Sequence, residues 1–148
     1  MINVQTKLTG DLSADLDRFE LIVKGKVLIS GAAGMAEVIY KRARENAPVS
    51  EHAHFFYGTH QKYGPYTPGS LQRAIYRAFA KERSTDERAV YVVRWRTQKP
   101  PVGVPYGFMV EYGTSKAPAN SFLRRAFDTV PEAIEAGKER MRARMNSR

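Results

Sequence analysis

The sequence predicts an α+β fold: a small antiparallel sheet packed with a long central helix and a C-terminal amphipathic helix. Three observations carry this. Residues 88–96 (RAVYVVRWR) are dominated by β-branched and aromatic side chains, the composition of a strand. Between about Val23 and Asn46, the residues Leu28, Ala32, Met35, Ile39 and Ala43 recur at three- and four-residue spacing, one apolar stripe of a helix. From about 121 to 146, Phe122, Ala126, Val130, Ala133 or Ile134, Gly137, Met141 and Met145 repeat that period. With 148 residues, 43% hydrophobic and 26% charged, residues 1–148 are read as a single domain able to bury a core.

The elements follow in order. Ile2, Val4, Thr6 and Leu8 alternate with Asn3, Gln5 and Lys7, the period of a half-buried strand. Gly10 and Asp11 punctuate, and Asp11 or Ser13 can cap a short helix through Leu12, Leu16 and Phe19, with Asp15 and Asp17 in its first turn. The long helix then runs to Asn46, with Lys41, Arg44 and Glu45 mainly outside its stripe. Gly25, Gly31 and Gly34 each weaken it by about 1 kcal/mol relative to alanine, but with Ala32, Ala33 and Ala36 they let another backbone approach closely. Pro48 stops it. Residues 49–69 (VSEHAHFFYGTHQKYGPYTPG) read as a long loop arm rich in turn residues and aromatics. Ser70 can cap a helix carrying Leu71, Ala74, Ile75, Ala78 and Phe79.

In the strand at 88–96, Tyr91 and Trp95 share one face with Val93 between them, which marks that face as core. Three prolines and a glycine make 97–105 an irregular loop. Tyr106 to Tyr112 forms a short helix that Gly113 stops with a left-handed cap. In the last segment Pro131 implies a kink, or a new helix capped by Thr129 with proline in its first turn.

The formal charge is +9, with a pI near 9.9. Such a surplus is either an electrostatic footprint for a polyanion or a basic surface that faces acidic neighbours or simply keeps the protein in solution. It concentrates in KERMRARMNSR, where Arg140, Arg144 and Arg148 share one helix face and Lys138 and Arg142 another. The absence of cysteine removes disulfides and thiolate chemistry. The longest apolar stretch, Val27 to Ala36, is far shorter than a membrane span, and the amino terminus carries no export pattern.

Catalytic patterns are scarce. His52, His54 and His60 lie in one loop with only Glu51 nearby, which is no ligand spacing. Gly58, Gly64 and Gly69 lack the lysine and helix of a phosphate loop, and no serine sits in a nucleophile elbow. Glu111 is the one carboxylate in an apolar, aromatic stretch. It could serve as a general acid, but with no partner acid or histidine at a readable spacing it reads rather as a buried or half-buried acceptor for an arginine or for backbone amides. The expectation is a chain that is not an enzyme, with no catalytic residue, no metal and no cofactor.

Three ordered segments resemble the neck, or tail-completion, proteins of long-tailed bacteriophages. The first is GAAGMAEVIYKRARENAPV (Gly31 to Val49), a helix of small residues ending in an alanine–proline step. The second is PGSLQRAIYRAF (Pro68 to Phe79). The third and most specific is PYGFMVEYGTSKAPANSFLRRAF (Pro105 to Phe127), where Glu111, Gly113, Thr114 and Phe122 carry the pattern. Ser121 and Arg125 stand where the family often has proline, and Ser121 or Asn120 can cap the helix instead.

The resemblance implies a noncatalytic virion subunit, assembled in the host cytoplasm. Six copies would form a ring around the DNA channel, between head-completion proteins and the tail tube. Non-specific contact with channel DNA is part of that expectation, and contact with a membrane is not. A ring needs two different complementary patches. The aromatic arm (Phe55, Phe56, Tyr57, Tyr63, Tyr66) and the basic helix (Arg140, Arg144, Arg148) are the candidates. A tail-terminator ring would share this composition; a small basic nucleic-acid-binding protein or nuclease is the reading from another class.

Overall fold

The sequence holds no proline from Leu12 to Asn46, and Glu20, Leu21 and Ile22 are compatible with a helix. In the computed structural model, which describes residues 12–98 and 103–147, the two helices expected there are therefore one, α1 (Leu12–Asn46). At 35 residues it spans about 50 Å. The expected strand over Ile2 to Leu8 lies outside the described residues.

Antiparallel to α1 runs the C-terminal helix α5 (Val130–Asn146), packed through small residues. A Cβ on Gly137 would come within 2.6 Å of Met35 Cγ and 3.1 Å of the Gly31 carbonyl, so the two helices approach where side chains are missing. The close approach expected of the α1 glycines is thus made by the chain's own last helix at Gly31 and Gly34, whereas Gly25 faces open space. Met141 is half-buried over Gly31, whereas Met145, placed on the apolar stripe by its spacing, is 59% exposed near the end of α5. Because α5 runs backwards along α1, its end meets Phe19, Val23 and Val27, and the first turns of α1 project past it. Leu16, Phe19 and Ile22 are exposed there.

The expected single sheet is two separate antiparallel pairs. β1 (His54–Tyr57) pairs with β2 (Lys62–Tyr66) inside the segment read as a loop. β3 (Ile75–Phe79) pairs with β4 (Tyr91–Trp95), in register from Ile75 opposite Trp95 to Phe79 opposite Tyr91. The helix expected over 70–79 is therefore cut short: α2 (Ser70–Ala74) is one turn, and the chain leaves it at Ile75 to join β4. Gly69, at φ 80, occupies its cap position, and the Ser70 hydroxyl donates to the Thr67 carbonyl instead of capping an amide.

α3 (Gly107–Tyr112) and α4 (Phe122–Ala126) follow, and a 3-10 turn at Phe127–Thr129 leads into α5. A new helix, not a kink, absorbs Pro131, with Thr129 at its cap position. The Thr129 hydroxyl donates to the Ala126 carbonyl at 2.6 Å and caps no amide of α5. Ala43, Ala47, Tyr66, Leu71, Ala74, Ile75, Val104, Phe122 and Ala126 form the core where the lower half of α1 meets these short elements.

Candidate functional site

The segment from 105 to 127 folds into a clasp. α3 ends at Gly113, whose φ of 78 and ψ of 175 no residue with a side chain adopts without strain. The expected positive φ is present, but the extended ψ turns the chain outward instead of continuing a left-handed turn. Thr114 and Ala117 then exchange backbone hydrogen bonds (2.8 and 3.4 Å), and the Thr114 hydroxyl accepts from the Lys116 and Ala117 amides. This tight turn brings the chain back so that Asn120 N–H donates to the Val110 carbonyl at 2.8 Å.

Glu111 closes the clasp. It is 1% exposed, and its carboxylate accepts from the Leu123 amide (2.8 Å), the Arg124 amide (2.9 Å) and Arg124 Nε (3.2 Å). These are amides at the start of α4, which have no partner within the helix. The capping role assigned to Ser121 or Asn120 therefore belongs to Glu111, reaching from another helix. Ser121 Oγ donates to the Glu111 carbonyl, and Arg124 Nη2 donates to that same carbonyl at 2.9 Å. Phe122, fully buried, stacks edge-on against Trp95, and its carbonyl accepts from Asn46 Nδ2, tying the clasp to β4 and α1.

The aromatic arm divides by face. Tyr66 belongs to the core, and Phe56 and Tyr63 pack on it together with Tyr106, so these three are not an outward-facing patch. His54 and Phe56 alternate inward on β1, and the register shift between their pairings sets Tyr66 and Tyr63, three residues apart on β2, on that same side. Phe55 (43% exposed) and Tyr57 (70% exposed) face out, with Lys62 Nζ 3.7 Å from the Phe55 ring centre and 5.5 Å from that of Tyr57. Burial pushes the Tyr106 phenol up to about 12, so it stays neutral.

His54 packs against the Tyr66 and Tyr106 rings, while His52 and His60 are exposed. Among the described residues no three His, Cys, Asp or Glu side chains gather in a group that could hold a metal. No helix among them is long and apolar enough to cross a membrane.

The basic edge of α5 is also divided. Arg140 pairs with Glu37 of α1, whose carboxylate also receives Lys41 at 3.1 Å and Arg77 at 3.9 Å. The Lys41 hydrogen bond, with Arg140 and Arg77 beside it, holds the Glu37 carboxyl below the usual 4.5. Arg144 remains exposed beside Phe19 and Val23, and Arg148 lies outside the described residues. Glu37 and Arg124 were not singled out in the sequence. Glu37 is the lone acid in the small-residue run 31–40, the signal that could have marked it.

No family model, no curated protein and no solved structure matches the chain.

Proposed function

We propose that the chain is a ring-forming structural subunit of a tailed-phage virion, a tail-completion protein that joins the tail to the head around the DNA channel. The observation that supports this most directly is the clasp. The residues that carry the most specific part of the resemblance, Glu111, Gly113, Thr114 and Phe122, serve one structural device, in which a buried carboxylate holds two helices in fixed relation. The pattern is thus a framework and not a reaction centre. Exposed Phe55 and Tyr57 on one element and exposed Arg144 on another supply two unlike patches, as a closed ring of identical subunits requires. The subunit is not an enzyme in this reading, and its partners are copies of itself and other neck and tail-tube proteins.

The test is imaging of particles made without the subunit. Separate full heads and finished tails are the expected result. Overlong tails would assign it instead to the tail terminator. Normal joined particles, with purified protein cleaving or tightly binding nucleic acid, would place it in the other class.

A further inference from the structure

The β3–β4 pair has an open edge that coincides with an apolar groove. Arg96 N–H donates to the Ala74 carbonyl (3.0 Å) and Ala80 N–H to the Val90 carbonyl (2.8 Å), which fixes the phase of the ladder. Even-numbered residues exchange the hydrogen bonds, so the amides and carbonyls of Tyr91 and Val93 point away from β3. Among the described residues nothing pairs with that edge of β4. It opens on a groove of about 360 Å³ floored by Ala32, Met35, Ala36 and Ile39 of α1 and walled on the far side by Phe127, itself 54% exposed. Open strand edges are sticky, and natural proteins cover or blunt them. Among the described residues neither device is present at Tyr91 and Val93.

One segment of this chain fits that edge. Residues 2–8 alternate Ile2, Val4, Thr6 and Leu8 against Asn3, Gln5 and Lys7, the pattern of a strand with one apolar face for a groove and one polar face for water. The same chain cannot lay the whole segment along its own edge. The groove lies level with Ala32 to Ile39, and Leu12 at the start of α1 is about 30 Å or more away along the helix. From Leu12 back to Val4 the extended backbone spans about 29 Å at most. Residues 4–8 therefore stay short of their own β4.

We infer that residues 2–8 of one copy add a strand to the β4 edge of the next, with the apolar face seated in the α1–Phe127 groove. This is a head-to-tail contact, since donor and acceptor surfaces differ, and repeated contacts of that type form a ring when the rotation between copies closes. It rests on the self-assembly part of the function proposed above and not on the place of the ring in a virion.

The chain has no cysteine, so introduced thiols report single positions. Val4→Cys protein is mixed with Phe127→Cys protein and treated with a short bis-maleimide. Crosslinked heterodimer well above the level either variant gives alone is expected. Deletion of residues 2–8 should lower the solution mass to that of a monomer while leaving the thermal midpoint of the folded domain in place. An oligomer that survives the deletion and gives no crosslink overturns strand exchange but leaves the ring standing. A crosslink formed within one doubly substituted chain, diluted in wild type, overturns exchange between copies. A wild-type chain that is monomeric at every concentration overturns this contact and the ring together.

Discussion

Glu111 shows why a single carboxylate can be kept in an apolar segment: its lone pairs meet three N–H donors, and the desolvation cost of the charge is offset by charge-assisted hydrogen bonds. Glu111→Ala leaves the Leu123 and Arg124 amides without their acceptor. We expect a loss of about 2–4 kcal/mol by urea unfolding. Glu111→Gln, which keeps an acceptor, should lose distinctly less; equal losses would mean that packing and not the cap is at stake. At Gly113 a Cβ would lie 2.7 Å from the Ala119 amide nitrogen, with φ already positive. Gly113→Val should therefore cost more than about 2 kcal/mol. Thr114→Ala, which removes only an exposed acceptor, should cost about 1 kcal/mol or less. Matching thermal midpoints for these two variants would refute the backbone argument.

Between elements, the decisive contact is the glycine seam of α1 and α5. Gly25 has nothing within 4 Å of where a Cβ would stand, so Gly25→Ala should stabilise by about 1 kcal/mol through helix propensity alone. Gly137→Ala gains the same propensity but drives a methyl toward Met35 and the Gly31 carbonyl, and it should lower the midpoint. The two substitutions moving the midpoint in the same direction would contradict the seam. Across it, Glu37 ties α5 and β3 to α1. Its carboxyl is held below 4.5 in the folded chain, so the stability it contributes is present above that pH. That stability is lost as pH falls through the depressed value. The Glu37→Gln variant should show a flatter fall in thermal midpoint below about pH 4.5 than wild type. Glu20 and Glu135 are lowered too, but these fully exposed pairs are screened by solvent and should not mask the difference. Elements with long, uninterrupted periods were legible in the sequence: most of α1, α5 and β4, and the short α3 stopped by Gly113. The β1–β2 hairpin was not, because Gly58, Gly64 and Pro65 read as breakers and its strands are only four and five residues long. The segment Ile75–Phe79 has spacings that suit a helix as well as a strand, and pairing with β4, a long-range contact, decides it. Glu111 was legible as a buried or half-buried acceptor, but its donors sit twelve and thirteen residues on, beyond any local pattern.

For the whole molecule, the charge surplus is where structure changes the expectation most. Arg140 is occupied by Glu37, so replacing Arg140, Arg144 and Arg148 by glutamine removes one internal ion pair along with the exposed charges. Exposed pairs of this type contribute about 1 kcal/mol or less, and the triple variant should remain folded. On the function proposed above, joining of heads to tails should nevertheless fall in that variant, as it should for wild type at raised salt. Infectious particles at normal yield would reduce the basic edge to a solvated face. The fold also brings β4, α3 and α4 together at a single side chain. Trp95 is the only tryptophan in the chain; its ring lies 5.5 Å from that of Phe122, and the space it fills beside Gly107 would not admit a methyl. An indole held against a buried phenylalanine emits at shorter wavelength than one released to water. Excited at the red edge of tryptophan absorption, where the eight tyrosines scarcely absorb, the unmodified chain therefore gives a direct optical readout of whether the clasp is closed, with no label and no second indole to subtract.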